Sequence, residues 1–420
     1  MALARTVNVP RPRPPCAARR PRPRRSCLRP QQRGLGDHGS DDGLGSEPTA
    51  RCVVSVYRSE RGAARLRWPC LRRPRRVRRP STTRRPLRGP VRPPLDQLVD
   101  YRPARTERPD FDAFWHRTLD EQDAAHPLEV TREPVDTGLT QILTEDVTFT
   151  GFGGQPIKAW FHRPASSPTT GPVSGEAASG RWSCSSATGW ARAVDRAHPA
   201  RPGGYAVLVM DNRGQGSGHR VGHTGDTYAG GPHAFGYLTQ GIEDPDAYYY
   251  RRLFTDAARA VEVARAHPAV DPDRVMVSGA SQGGAICLAA AALSSLRGVP
   301  LRGAIVDVPF LAHVRRCTEI TDAHPYGEIV DYLHAHRELV EQTFETVSYF
   351  DGMNFAPRIE VPALFSVGLR DEICPPSAVY AAYNHYAGPK EMNVYTYNGH
   401  EHGGPYQEVE HVRFAREVLG

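Results

Sequence analysis

The stretch Arg274-Val-Met-Val-Ser-Gly-Ala-Ser-Gln-Gly-Gly-Ala-Ile-Cys-Leu-Ala-Ala-Ala-Ala-Leu293 restricts this chain more than any other. Val275 and Val277 alternate as in a strand, and an alanine-rich run follows that reads as a helix. Between them lies Gly279-Ala280-Ser281-Gln282-Gly283, a G-x-S-x-G pentapeptide. A strand that turns this sharply into a helix needs small residues around the serine. It leaves the hydroxyl exposed at the end of a sheet, beside a helix N-terminus. The pentapeptide alone also fits an ordinary glycine-rich turn with a surface serine. The strand before it and the helix after it favour a nucleophile elbow.

A serine hydroxyl is a poor nucleophile at neutral pH. It needs a base in hydrogen-bond reach, and the base needs a carboxylate to fix its tautomer. Asp371 follows the apolar run Val361-Pro-Ala-Leu-Phe-Ser-Val367, and His400 follows Asn393-Val-Tyr-Thr-Tyr397. The order Ser281, Asp371, His400, each beyond a strand's C-terminal end, is that of an α/β-hydrolase. Glu372, Asp307 and Asp351 are the other carboxylates to weigh, and His402 is the other histidine. We read Asp307 and Asp351 as structural. His400-Glu-His402 is not H-E-x-x-H, and residues two apart do not share a helix face, so no zinc site is indicated. His334 and His336 read as solvated helix residues. Arg213 has two readings: a contact for an anionic substrate, or a brace that pairs with carboxylates around the site.

The net charge of +7 averages two unlike parts. The first 100 residues hold 25 arginines, no lysine and 7 acidic residues, while the remainder is net negative by 11. Residues 1–93 are Arg/Pro-rich and low in complexity. Proline prevents helices there, and arginine repulsion opposes collapse. One reading is a tail for nucleic acid or a membrane surface. The other is that the segment is not native coding sequence: a GC-rich gene read from too early a start, or out of frame, yields this composition. No run of about 18 apolar residues marks a membrane span. The eight cysteines show no C-x-x-C spacing, so neither a metal site nor a disulfide framework is expected.

Residues 94–420 read as one α/β domain. A helix is predicted over Pro109–Leu119, with Asp110 as N-cap and Phe111, Phe114, Trp115 and Leu119 on one face. Val147–Thr150 and Ile157–Phe161 form a hairpin across Gly151–Gly154. Tyr205–Met210 is a buried strand, and Tyr248–His267 a helix that Pro268 stops. Ala304–Val308 is a further strand. Residues 309–356 interrupt the rhythm with short helices at Gly327–His336 and Glu338–Val347, an insertion able to cover a pocket or make a subunit contact. Helices over Ser377–Tyr386 and Tyr406–Leu419 complete a mainly parallel sheet covered on both faces.

One segment does not fit. Ala165–Gly180 is a polar loop, and Arg181-Trp-Ser-Cys-Ser-Ser-Ala-Thr-Gly-Trp-Ala-Arg192 follows where the next apolar strand belongs, without a usable period. Codons can be chosen for Arg181–Gly189 so that reading two nucleotides later gives Val-Val-Val-Gln-Phe-Gly-Tyr-Gly. The expectation is a local frameshift closed before Gly204; an intact frame on resequencing the gene removes it.

Arg213-Gly-Gln215, Gly279-Ala-Ser-Gln-Gly283 and His400-Glu401 together resemble the three signatures of carbohydrate esterase family 7, the acetyl xylan esterase/cephalosporin C deacetylase group. Tyr248-Tyr-Tyr-Arg-Arg252, Ser348-Tyr-Phe-Asp-Gly-Met-Asn354 and Cys374-Pro-Pro376 extend the resemblance, which runs from about Pro94 to the end. It implies an α/β-hydrolase fold, Ser281 as nucleophile with Asp371 and His400, and deacetylation of small acetylated sugars or cephalosporins. It also implies a cytoplasmic, metal-free enzyme without cofactor, assembled as a homo-hexamer, with Gln282, Arg213 and Gln215 supporting the site. The backbone N–H of Gln282 is one oxyanion donor. In the family the second donor is the backbone N–H of a Tyr-Gly turn at the place held here by Arg181–Gly204, and the shifted reading restores that Tyr-Gly. The rival readings are a peptidase or lipase-like hydrolase, and an impaired hydrolase whose basic tail binds nucleic acid.

Overall fold

A computed structural model describes residues 93–165, 179–183, 204–216, 222–228 and 236–420, with backbone alone for 179–183. The fold is that of the unit Thr82–Gly420. The tail over residues 1–92, most of the loop from Ala165 and residues 184–203 lie outside the described residues.

The chain enters through a short helix α1 (Leu95–Val99) and α2 (Phe111–Ala125). Phe111, Phe114, Trp115 and Leu119 of α2 are all buried, as their spacing predicts. Trp115 Nε1–H donates to the Tyr349 carbonyl at 3.0 Å, so the burial costs no unpaired donor. Asp110 stands at the N-cap but does not cap. Its φ of −100° and ψ of 14° leave the extended region capping needs. Its carboxylate instead accepts from the Tyr349 hydroxyl at 2.7 Å.

Three antiparallel strands follow: β1 (Val130–Val135), β2 (Ile142–Thr150) and β3 (Pro156–Pro164). The expected hairpin is β2–β3, paired from Thr150 opposite Pro156 to Ile142 opposite Pro164. Strand β1 was not legible in the sequence. It is an edge strand with no residue fully buried, and an edge tolerates Pro134 because one row of its N–H groups has no ladder to join.

Next come β4 (Ser179–Ser183), β5 (Ala206–Met210), α3 (Tyr249–Arg265), β6 (Asp271–Ala280), α4 (Gln282–Leu296) and β7 (Gly303–Asp307). The insertion holds four helices: α5 (Val314–Ile320), α6 (Tyr326–Ala335), α7 (Val340–Ser348) and α8 (Gly352–Phe355). The chain closes with β8 (Ala363–Gly368), α9 (Pro376–His385), β9 (Lys390–Tyr395) and α10 (Pro405–Leu419). Among the described residues the strands form one sheet in the order β1-β2-β3-β5-β4-β6-β7-β8-β9, parallel from β5 to β9.

The place expected to lack a strand has one. Arg181 and Trp182 of β4 pair with Val207 and Leu208 on one side and with Met276 and Val277 on the other. The ladder is made of backbone groups, which every residue here carries. Leaving the slot open would orphan a row of N–H and C=O groups on both β5 and β6. The register of this ladder shifts between Ser179 and Arg181.

The double cover follows from the period of two. Ala206, Leu208 and Met210 of β5 point into the larger core, with Val275, Val277, Ala304, Val306 and helices α3 and α4. Their neighbours Val207 and Val209 point the other way, with Met276, Ile305 and Leu364, onto Phe414, Ala415 and Leu419 of α10. Strands buried on both faces read as continuous apolar runs, which is why β5 to β8 stood out in the sequence.

Candidate active site

Ser281 sits between β6 and α4 with φ 56° and ψ −119°, a backbone conformation unfavourable for a side chain bearing Cβ. Its neighbours hold it there: Ser281 N–H donates to the Asp307 carbonyl at 2.9 Å, and its own carbonyl accepts from Phe310 N–H at 2.9 Å. The turn leaves no room on its inner side. A Cβ on Gly284 would stand 2.9 Å from both the Asp307 carbonyl oxygen and Pro309 Cα. The strained serine and the glycines after it are the features that the pentapeptide predicted for an elbow.

Asp371 lies beyond β8 and His400 beyond β9, so adjacent parallel strands deliver both loops to the edge where the elbow stands. The loops are joined by Leu369 N–H to the Tyr395 carbonyl at 3.0 Å and by Arg370 N–H to the Asn398 carbonyl at 2.9 Å. His400 Nδ1 stands 2.9 Å from Asp371 Oδ2, and His400 Nε2 stands 2.9 Å from Ser281 Oγ. The distances suit the tautomer in which Nδ1–H donates to the carboxylate and Nε2 accepts from the serine hydroxyl. The second carboxylate oxygen accepts from Ile373 N–H at 2.8 Å and Cys374 N–H at 2.9 Å. Asp371 is thereby buried and fixed, while the His400 side chain keeps 31% of its exposure, enough to meet a ligand.

Close approach of the two loops depends on Gly368. A Cβ there would lie 2.1 Å from the Gly399 carbonyl oxygen, next to the histidine. We expect Gly368→Ala to displace the His400 loop, at about 1–3 kcal/mol of stability by overpacking. A displacement of about 1 Å at the base can cost on the order of 100-fold in rate. Thermal unfolding and single-turnover ester hydrolysis measure the two effects; a variant that matches the parent in both refutes the role given to Gly368.

The expected supporting residues divide. Gln282 opens α4, so its backbone N–H has no intrahelical acceptor and stays available beside the serine. Its side chain is held from two sides: Asn212 Nδ2 donates to Oε1 at 3.2 Å, and Nε2 donates to the Tyr250 hydroxyl at 3.0 Å. Gln215 Nε2 donates to the Tyr249 hydroxyl at 3.1 Å, and that hydroxyl donates to the Arg213 carbonyl at 2.6 Å. Arg213 is fully buried and grips Asp256 through Nε and Nη2, at 2.5 and 2.7 Å. It is a brace, and the anionic-substrate reading is set aside: the guanidinium faces no opening. Burial opposes its charge, yet the Asp256 carboxylate outweighs that and holds Arg213 above its ordinary value. Burial raises the Asp256 carboxyl, and Arg213 pulls it back. Bidentate geometry of this kind belongs to the charged pair.

The side chains of the other candidates are engaged elsewhere. Asp307 is committed to Ser366 at 2.7 Å, Gln407 at 2.8 Å and His411 at 2.7 Å. Asp351 caps the start of α8 and also accepts from His313 and Val314 N–H, each at 2.8 Å. Both are structural, as expected. Glu372 is exposed, and His334 and His336 are exposed residues at the end of α6. His402, in the left-handed region at φ 49°, is not the residue that bonds Ser281 or Asp371. Sequence reading missed Asn212 and Tyr250 as the holders of Gln282, since no spacing rule links three residues on three elements. It also missed the glycine that lets the acid and histidine loops meet. Of Arg181–Gly204, the segment expected to carry the second oxyanion donor, residues 184–203 lie outside the described residues.

What this arrangement can do is nucleophilic acyl transfer: a hydroxyl with its base at 2.9 Å, a base with its carboxylate at 2.9 Å, and a helix N-terminus beside both. The comparisons point the same way. A family model described as acetyl xylan esterase matches residues 91–418. The acetyl esterase Axe7A of Xylanibacter ruminicola is 31% identical over 170 residues, 39% of this chain and 36% of that protein, so the chain spans about a third of that relative's length. The acetyl xylan esterase from Paenibacillus sp. R4 superposes with a TM-score of 0.69 at 36% identity, over 78% of this chain and 100% of that one. Acetyl xylan esterase 1 from Thermoanaerobacterium sp. JW/SL YS485 gives 0.68 at 29% identity with the same coverage.

Proposed function

The chain belongs to the acetyl xylan esterase family, and from that premise we propose that it is a serine esterase removing acetyl groups from small acetylated carbohydrates such as xylo-oligosaccharides. The observation that carries this reading is the bridge of His400 between Asp371 and Ser281. As the Ser281 hydroxyl attacks the acetyl carbonyl, His400 Nε2 takes its proton, and Asp371 stabilises the imidazolium that results. The oxyanion forms beside the N-terminus of α4, where Gln282 N–H is one donor. His400 then gives the proton to the departing sugar oxygen. Water repeats the sequence on the acetyl-enzyme and releases acetate. Each of these steps uses groups of this chain, and none calls for a cofactor.

Acetyl selectivity separates this reading from a lipase-like or peptidase activity. In a series of p-nitrophenyl esters we expect kcat/KM to be greatest for acetate and to fall steeply by octanoate, with acetate released from acetylated xylo-oligosaccharides and no cleavage of a peptide panel. Equal or rising rates with chain length overturn it. Cephalosporin C carries a comparable acetyl ester, and we include its deacetylation in the proposal; acetate release from it is the check. We also propose a cytoplasmic homo-hexamer. Exposed Tyr406 and Val409, three residues apart on α10, offer apolar surface for such an assembly. Sedimentation of the active enzyme as a monomer rules it out.

A further inference from the structure

The mechanism leaves one side chain at the triad unused. Cys374 is fully buried in the acid loop, and its backbone N–H already serves Asp371. Burial pushes its thiol well above the ordinary thiol range, and the neighbouring Asp371 charge adds to that. Cys374, Asp371 and His400 each present one donor atom, and the three atoms lie within 4.8 Å of one another.

Sulfur, imidazole nitrogen and carboxylate oxygen on three converging side chains are the donors of a tetrahedral zinc site. Bonds of about 2.0 to 2.3 Å at tetrahedral angles place such donors roughly 3.3 to 3.8 Å apart, so at most a contraction on the order of 1 Å completes the set. Soft thiolate ligation selects Zn²⁺ or Cd²⁺ over Mg²⁺ or Ca²⁺. We propose that Asp371, Cys374 and His400 form an inhibitory site for a thiophilic divalent cation, which turns the esterase off by taking its base.

This inference rests on the reading of Ser281, Asp371 and His400 as the catalytic triad. The proton balance shows why the metal silences it. The thiol gives up its proton to solvent as sulfur binds. If the cation takes His400 Nδ1, the ring proton moves to Nε2, and Nε2–H can no longer accept from Ser281. If the cation takes Nε2 instead, it occupies the lone pair that accepts the serine proton. In either case the carboxylate charge is spent on the metal.

The test uses the full chain, freed of metal with a chelator, with p-nitrophenyl acetate as substrate. We expect Zn²⁺ and Cd²⁺ to inhibit reversibly at one ion per chain and Mg²⁺ to have no effect. Titration with Cd²⁺ should produce the ultraviolet charge-transfer band of a cadmium–thiolate bond. Cys374→Ser and Cys374→Ala, each scored against its own metal-free rate, should lose the band and need at least about tenfold more metal for half-inhibition, the range over which metal-site substitutions act. Two variants guard against one that fails to fold. Inhibition as strong in these variants as in the parent, or a parent without the band, overturns the site. A Ser281→Ala chain keeps all three ligands and should still show the band. The metal site thus stands or falls separately from the esterase reading: an inactive parent with the band sinks only the activity.

Discussion

Ser281→Ala is expected to lower kcat for p-nitrophenyl acetate by roughly 10⁴- to 10⁶-fold while KM moves little, because the serine contributes to the transition state and not to ground-state binding. His400→Ala should fall by a similar factor, since a serine without its base is nearly as inert as no serine. Asp371→Asn should cost on the order of 10⁴-fold, because the amide oxygen is claimed by the Ile373 and Cys374 N–H groups and the amide NH2 then donates to Nδ1, which favours the wrong tautomer. The Ser281→Ala/His400→Ala double variant should be no worse than either alone, as the three groups act as one unit. The geometry allows so large a loss because, among the described residues, His400 is the histidine that bonds Ser281. His402 lies two residues away, but the hydrogen bond to Ser281 belongs to His400. Additive losses in the double variant, or a Ser281→Ala enzyme within about tenfold of the parent, would show that another nucleophile does the chemistry.

The parallel half of the sheet and the positions of Ser281, Asp371 and His400 were legible in the sequence for a physical reason. Strands β5 to β8 are buried on both faces, so almost every residue must be apolar, and the runs stand out against their surroundings. Ser281, Asp371 and His400 each follow such a strand, so finding the strands also located the residues. Strand β1 escaped because an exposed edge asks little of side chains. Strand β4 escaped for a different reason: a slot between two partners can be filled by backbone hydrogen bonds over Ser179–Ser183, a segment with no apolar alternation. The N-cap expectation at Asp110 failed because a tertiary partner, the Tyr349 hydroxyl, claimed the carboxylate. Local rules see neither the slot nor the partner. The same limit hid Cys374, whose place beside the triad comes from loop closure rather than from any spacing.

Arg213→Met should destabilise the fold by about 3–5 kcal/mol, the cost of breaking a buried ion pair from one side. Arg213 ties three segments together. Its guanidinium holds Asp256 on α3, donates to the Phe152 carbonyl in the β2–β3 turn at 3.1 Å, and approaches Asp226 at 3.6 Å. Asp256 in turn accepts from Phe152 N–H at 2.8 Å. Methionine fills much of the volume but leaves Asp256 as a buried carboxylate without its cation. That charge is what makes the single substitution costly. Removing it should therefore recover stability: Arg213→Met/Asp256→Leu is expected to be more stable than Arg213→Met, although Phe152 N–H then loses its acceptor. Denaturant unfolding of the parent, both single variants and the double variant gives the coupling energy directly. The esterase readout separates this role from catalysis. A brace predicts that the double variant, once folded, keeps measurable turnover with a modest fall in kcat. An arginine that bound substrate would instead raise KM steeply in every variant lacking it, whatever its stability, and that outcome would overturn the bracing role.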